Sequence, residues 1–412
     1  MLFKSLASLA IMAGALSQSV SAAFNFTSPA FRNITAVYWG QNAVYAVNKT
    51  TPLQYDLYTT CSNPSVDVVI ISFVTSFYGK AGVPILNLSD QCGTYFVYNG
   101  STNANNYTDI LSCPQIGTQI TQCQALGKKI FLSLGGATYT SAWTAAQAQD
   151  RANTIWAMFG PPSGNYPYRP FGSAIIDGYD LDFEHSTNSA NTAAFASKLR
   201  TKFALMKSRS FYLTASPQCP SPDAVLNQAL TTVSFDAVFI QFYNNACQIT
   251  TWAASKAQNV NTSFNLGMWQ TWAKTSSFNK NIKLFIGILA TSLPAPTTGY
   301  LAKANVQKVV SASMSTSLYP NFGGVSFWDS SCANLNTPMI PGIRDVLTGK
   351  LVIAAKRDVE STSVAERDIL TPVGGASTLP AGDFIEVKVA DEVAKMIKNK
   401  RRMHHQHHRR NF

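Results

Sequence analysis

No stretch of the 412-residue chain reaches the ~18 consecutive apolar residues that a membrane-crossing helix requires, so no membrane span is expected. No CxxC pair occurs, which argues against a zinc site and a thioredoxin-like redox site; no metal and no cofactor are expected. No GxGxxG follows the first strand-like run, leaving a dinucleotide-binding reading without support. The residues after 351 hold no cysteine-rich module, no long Ser/Thr stalk and no hydrophobic run of the kind a lipid anchor uses. Charge is sparse at 13%, whereas hydrophobic residues make up 46%, the proportion of a globular protein with a sizeable core.

Acidic residues are absent from the last 20 positions, 393–412, which carry seven Lys/Arg and four of the five histidines (His404, His405, His407, His408). Most of the net charge of +11 therefore belongs to this segment, because 25 basic residues face 21 acidic ones elsewhere. Residues 352–412 are read as a disordered linker and basic His/Arg/Lys-rich tail, with the dibasic Lys356-Arg357 as a processing point. Electrostatic contact of this tail with an anionic cell-wall polymer is the partner it suggests; nucleic acid and membrane are not expected, and the protein is expected to be a monomer.

The N-terminus has the parts of a secretory signal over residues 1–22: Lys4, an apolar run at 6–16, and Val20-Ser21-Ala22 as the cleavage site. Seven cysteines, at 61, 92, 113, 123, 219, 247 and 332, allow at most three bridges and leave one thiol over. Seven N-x-S/T sequons, at Asn25, Asn33, Asn48, Asn87, Asn99, Asn106 and Asn261, fit a glycoprotein that is secreted to the extracellular space or cell wall.

Eight short apolar runs recur at 34–38, 66–74, 129–134, 174–183, 211–216, 237–243, 282–288 and 324–328, separated by helix-length segments such as 191–207. Strand–helix alternation implies parallel strands with right-handed crossovers, and eight units over residues 24–351 fit an α/β fold of the (β/α)8 TIM-barrel type.

Within the fourth run lies DGYDLDFE, Asp177 to Glu184, with four carboxylates in eight residues. In a strand, Asp180, Asp182 and Glu184 share one face at a spacing of roughly 6.6 Å, while Leu181 and Phe183 take the other. Like charges in a row destabilise a sheet unless some are protonated or hydrogen-bonded, and crowding raises carboxylate pKa values toward those of a general acid. An exposed acidic edge strand or a cation site are the competing readings; the apolar flanks oppose the first and the lack of EF-hand spacing the second. Asp177 has the opposite parity, so it needs a bulge or a place near the strand's base, and is read as structural.

These residues resemble the DxxDxDxE signature of glycoside hydrolase family 18, and FLSLGG (Phe131 to Gly136) resembles its third-strand signature. VYWGQN from Val37, EHST from Glu184, SPQCPSPD from Ser216, QFYNNACQ from Gln241 and GGVSFWD from Gly323 extend the resemblance to hevamine-like, plant-type class III chitinases of the fungal secreted kind. The resemblance implies retaining hydrolysis of β-1,4-linked N-acetylglucosamine polymers in which the substrate's own acetamido oxygen is the nucleophile. Carried over by motif, Glu184 is the acid and base, Asp182 orients the acetamido group, Asp180 shares a proton with Asp182, and Tyr243 holds the acetamido carbonyl. Trp328 corresponds to the aromatic floor under the reacting sugar; Tyr38, Gln41, Gln241 and Asn244 to polar lining; Gly135 and Gly136 to close backbone approach. The implied disulfides are Cys61–Cys123, Cys92–Cys113 and Cys219–Cys247, with Cys332 free. The segment between Cys92 and Cys113 is longer than in that class, and Trp39, Trp143, Trp252, Trp269 and Trp272 divide between outer subsites and core in no legible way. Other readings are a non-catalytic chitin-binding lectin or inhibitor on the same barrel, and an endo-N-acetylglucosaminidase or lysozyme-like activity.

Overall fold

Alternation along each strand sorts the side chains into an inner and an outer set. In the computed structural model, which describes Phe26, Ser28 and residues 31–45, 54–103, 105–140, 142–253, 260–293 and 297–353, eight parallel strands close into a barrel. They are β1 (Ile34–Trp39), β2 (Val68–Ser76), β3 (Lys129–Gly135), β4 (Gly178–Asp182), β5 (Tyr212–Ala215), β6 (Ala237–Gln241), β7 (Lys283–Leu289) and β8 (Phe322–Trp328). Each pairs with its neighbours in sequence, and β1 pairs with both β2 and β8, which completes the ring. The signal peptide, Lys356-Arg357, the basic tail and the sequons at Asn25 and Asn48 lie outside the described residues.

Inward-facing Ile34, Ala36, Tyr38, Val68, Ile70, Phe131, Tyr212, Ala237, Phe239 and Phe285 form one buried cluster that fills the barrel. Phe26 seals its lower end, with its ring 5.3 Å from that of Tyr212 and 6.0 Å from Phe285. The outward set, including Val37, Val69, Leu132, Leu181, Leu213, Ile240, Ile286 and Phe327, packs under the helices in a second, larger core. This two-sided burial is why the parallel strands read as nearly continuous apolar runs.

At the barrel's base, the residue just before each even-numbered strand is polar and buried or nearly so: Asp67, Asp177, Asp236 and Asn321. Three of them accept the first free amide of the preceding strand: Asp67 from Thr35 (2.9 Å), Asp177 from Ile130 (2.9 Å), Asp236 from Leu213 (2.8 Å). Each of these carboxylates also binds an arginine, Arg344, Arg209 and Arg200 respectively. Asn321, which must serve carbonyls instead, donates to Lys280 O and Ile282 O. The base is a ring of strand-end caps, and Asp177 belongs to it.

The expected fourth run, 174–183, is longer than the strand found, Gly178–Asp182. Its first residues, 174–176, are an irregular, largely buried stretch after the turn at 170–173, which Arg169 ties down by donating to Gly172 O (2.8 Å), Gly160 O (2.7 Å) and Ala174 O (3.2 Å). Apolar character there serves burial and not strand pairing, a distinction periodicity does not carry. The helix expected at 191–207 spans Thr192–Leu205. All three implied disulfides are formed and Cys332 is a buried free thiol. The long segment between Cys92 and Cys113 folds into an antiparallel hairpin, Tyr95–Val97 with Tyr107–Leu111.

Candidate active site

Strand register assembles the site around Asp180. On β3 its partner is Ser133 and on β5 its partner is Thr214, so one inward layer sets two hydroxyls on either side of one carboxylate. Asp180 Oδ1 accepts from Thr214 (2.8 Å), and Oδ2 accepts from Ser133 (2.9 Å), Ser216 (2.8 Å) and Tyr38 (3.3 Å). The Tyr38 and Ser216 hydroxyls are bonded to each other. Asp180 is fully buried. Burial raises its pKa, and the four hydroxyl donors oppose that rise by stabilising the anion.

Asp182 and Glu184 stand above it toward the strand's C-terminal end, where catalytic groups of such barrels sit. Asp182 is 4% exposed and Glu184 is half-buried. The two carboxyls crowd each other at the strand's end, and each raises or is raised by the other's presence. Gln241, inward-facing at the end of β6, donates its amide to Asp182 Oδ1 (2.9 Å) and leans toward Glu184 Oε1 (3.4 Å). Burial first, then the charges of Glu184 and Asp180, hold the Asp182 carboxyl well above the usual carboxylate range. Glu184 is also raised, chiefly by burial, against the pull of amide donors. Asp223, a fourth carboxylate, adds to the repulsion felt by both. Tyr243 is half-buried beside them; burial and the charges of Asp182, Glu184 and Asp180 push its hydroxyl well above the ordinary tyrosine range, so it is a proton-bearing donor.

Aromatic rings floor this cup. Trp328 is half-buried, 5.6 Å from the Tyr38 ring and stacked on Phe73 at 5.7 Å and 22°. Gly135 has φ +110° and pairs with Asp182; a Cβ there would stand 2.5 Å from Asp182 O and 2.7 Å from the Phe183 ring. Gly136, at φ +83°, donates its amide to Asp182 O (2.7 Å), and a Cβ would meet the Phe73 ring. These glycines hold the catalytic strand close to β3. Gln41 spends its amide on Ser72 O (2.8 Å) and Asn87 O (3.0 Å), and exposed Asn244 binds Thr298 N (2.7 Å), so both tie loops together at the rim. Trp39, Trp143, Trp269 and Trp272 are core; Trp252 packs against it, partly buried.

Residues 34–309 match the model of the glycosyl hydrolases family 18. The chain belongs to that family. Its family-18 relatives include "Chitinase 2" of Rhizopus oligosporus, 41% identical over 335 residues, which cover 81% of this chain and 55% of that one. The chain thus spans about half the length of this curated relative. Among solved structures, the ICChI chitinase of Ipomoea carnea superposes with a TM-score of 0.58 at 26% identity, covering 76% of this chain and 99% of that one. A xylanase and α-amylase inhibitor protein of Scadoxus multiflorus superposes equally well, 0.58 at 28% identity, covering 77% and 99%. The fold of this chain is therefore similar to that of proteins described in both ways.

Ser133, Thr214, Ser216, Phe73 and Asp223 were not singled out from the sequence. Ser133 and Thr214 carried a usable signal, since a hydroxyl at an inward position of a buried strand needs a partner. Phe73 carried none, because Trp328 and Gly136 reach it from distant strands; Asp223 lies in the SPQCPSPD block and holds three amides of its own loop, but its closeness to Glu184 is not legible there.

Proposed function

We propose that this family-18 barrel is a secreted, endo-acting chitinase that hydrolyses β-1,4-N-acetylglucosamine linkages with retention of configuration. The observation that carries the reading is that Asp182 and Glu184 stand together at the end of one strand, within reach of a single amide, that of Gln241 (2.9 Å and 3.4 Å). A carboxylate nucleophile and its acid partner stand roughly 5–5.5 Å apart, on either side of the bond they cleave. Two carboxyls side by side at one strand end, gathered by one amide, do not bracket a sugar in that way. The nucleophile then has to come from the substrate, and an acetamido oxygen on the neighbouring carbon is the group able to supply it.

On this reading the Glu184 carboxyl gives its proton to the glycosidic oxygen. The C1–O bond breaks as the acetamido carbonyl oxygen bonds to C1, forming an oxazolinium. Asp182 accepts the acetamido N–H and Tyr243 donates to the carbonyl, so the nucleophile is held in place and a bimolecular step is avoided. Glu184, now a carboxylate, takes a proton from water, whose oxygen attacks C1 from the face the leaving group vacated; the bond from C1 to the acetamido oxygen breaks and the neutral acetamido group is restored. Asp180, ringed by hydroxyls, stands behind Asp182 and shares a proton with it while Glu184 is reprotonated. Trp328 offers its indole to a flat sugar face.

Secretion is supported by the three disulfides, which need an oxidising compartment, and by sequon asparagines Asn87, Asn99 and Asn106 at exposed positions. The inhibitor-like neighbour favours a binding-only protein as the second reading. Incubating the protein and its Glu184→Gln variant with chitin oligomers, peptidoglycan and a glycoprotein separates the cases. Oligomer cleavage lost in the variant is the expected result; binding without turnover in the wild type supports the second reading, and full activity in the variant removes Glu184 from its role.

A further inference from the structure

Two loops at the barrel mouth are joined behind a single side chain. Just past β6, Phe242 donates its amide to Gly287 O of β7 (3.0 Å) and turns outward, its ring 4.5 Å from that of Phe264 in the outer core. Alternation therefore sends Gln241 and Tyr243 inward, and Tyr243 stands one layer above Gln241, whose amide lies 2.9 Å from Asp182. The next residue, exposed Asn244, takes the left-handed conformation, φ +59°, which asparagine tolerates better than most residues. There it meets the loop between β7 and the helix Lys303–Ser313. Asn244 donates its backbone amide to Thr298 O (2.9 Å), its Oδ1 accepts from Thr298 N (2.7 Å), and Thr298 Oγ1 donates to Gln248 Oε1 (3.0 Å). Gly299 follows, buried and at φ +102°, with no room for a side chain: a Cβ would stand 2.9 Å from Tyr243 Cα and 3.1 Å from Tyr243 Cβ. The start of the same loop is anchored too, because Asn336 donates to Ala290 O (2.8 Å) and the Cys332 thiol to Leu293 O (3.1 Å).

We propose that Thr298 and Gly299 are positioning residues for Tyr243: latched to Asn244, their backbone is the backstop that keeps the tyrosine at the height where an acetamido carbonyl has to lie. The inference rests on the reading of Tyr243 as the donor to that carbonyl. The carbonyl oxygen is the nucleophile, and it reacts only when held within bonding reach of C1 and in line with the breaking bond. Tyr243 sits where the chain leaves β6, so the strand ladder no longer fixes it, and a shift of about an ångström would lose the alignment. Backbone packed against Cα and Cβ suits the task, because it cannot give way by changing rotamer as a side chain can. Glycine allows that close approach, and asparagine allows the turn that presents a donor and an acceptor to one partner residue.

The test is a double-mutant cycle on soluble N-acetylglucosamine oligomers, with kcat, KM and melting curves for the wild type, Gly299→Ala, Tyr243→Phe and the double variant. The added methyl displaces Tyr243, so Gly299→Ala is expected to lower kcat on the order of 10- to 100-fold with KM little changed. In the Tyr243→Phe background the hydroxyl it acts through is gone, and the same substitution is expected to cost little. Equal costs in both backgrounds, within about a factor of two, make Gly299 a plain packing residue and overturn the proposal. If Gly299→Ala does not fold, Asn244→Gly, which keeps the left-handed backbone and removes the acceptor for Thr298, takes its place in the cycle. No turnover in the wild type, or a Tyr243→Phe variant as active as the wild type, counts against the catalytic reading and not against the latch. Hydrogen exchange then decides: residues 242–248 are expected to exchange faster in Gly299→Ala and in Asn244→Gly than in the wild type, and unchanged exchange sinks the latch.

Discussion

Strand β4 has two ends that treat carboxylates in opposite ways. At the base, Asp177 is 3% exposed, bonded to Arg209 (2.9 Å), with Lys129 Nζ at 3.6 Å and the Ile130 amide and Gln124 completing its shell. At the mouth, Asp180, Asp182 and Glu184 crowd together with hydroxyls and amides around them, and every ion pair formed among the described residues involves Asp67, Asp177 or Asp236 at the base. Cations neutralise where the charge serves the fold. Neutral donors hold where the proton has to move, because a cation in contact pins a carboxylate in its ionised form. The lesson is that one octapeptide carries a structural device and a chemical one, separated by only three residues.

Glu184→Gln probes the contrast most strongly. Its kcat is expected to fall by on the order of 10²–10⁴, the contribution of a general acid and base. The same variant should melt at a higher temperature at neutral pH, since it removes a buried group whose charged form burial disfavours. A lower melting temperature would mean that the mouth, like the base, is built for stability. Asp177→Ala is the reverse case. It leaves Arg209, Lys129 and the Ile130 amide without their partner, so a loss of about 3 kcal/mol in chemical denaturation is expected, with kcat per folded molecule unchanged.

A smaller effect follows from pH. Asp180, Asp182, Glu184 and Asp223 all have folded pKa values raised by burial. Between about pH 4 and those raised values the folded state binds more protons than the unfolded one, so this part of the stability is present in acid and is lost as pH rises through the window. Thermal unfolding from pH 4 to 8 should show that decline, and Glu184→Gln should flatten it. The smallest change expected is from Ser133→Ala, which removes one of four donors to Asp180 and costs about 1 kcal/mol, read from denaturant midpoints. If Ser133→Ala proves as costly as Asp177→Ala, the two ends of β4 are less different than the ion pairs indicate.

Much of the barrel was legible because two-sided burial writes each parallel strand as an apolar run; at 174–176 burial without strand pairing imitated a strand. The parity of Asp180, Asp182 and Glu184 follows from backbone geometry alone, so their common face needed no tertiary information. Asp177 at the base follows from the same count. What no linear reading supplied is the company these groups keep. The Ser133–Asp180–Thr214 layer depends on the register of three strands, and the contact of Gln241 with Asp182 spans 59 positions in the chain. The roles of Gly135 and Gly136 were open in the sequence and became specific once Asp182 O and the Phe73 ring occupied the space a side chain would need. Sequence alone determined which residues share a face, a consequence of the strand's two-residue period. Tertiary structure decided which donors surround each carboxylate, and hence where its proton resides, because desolvation and hydrogen bonding act through space and not along the chain.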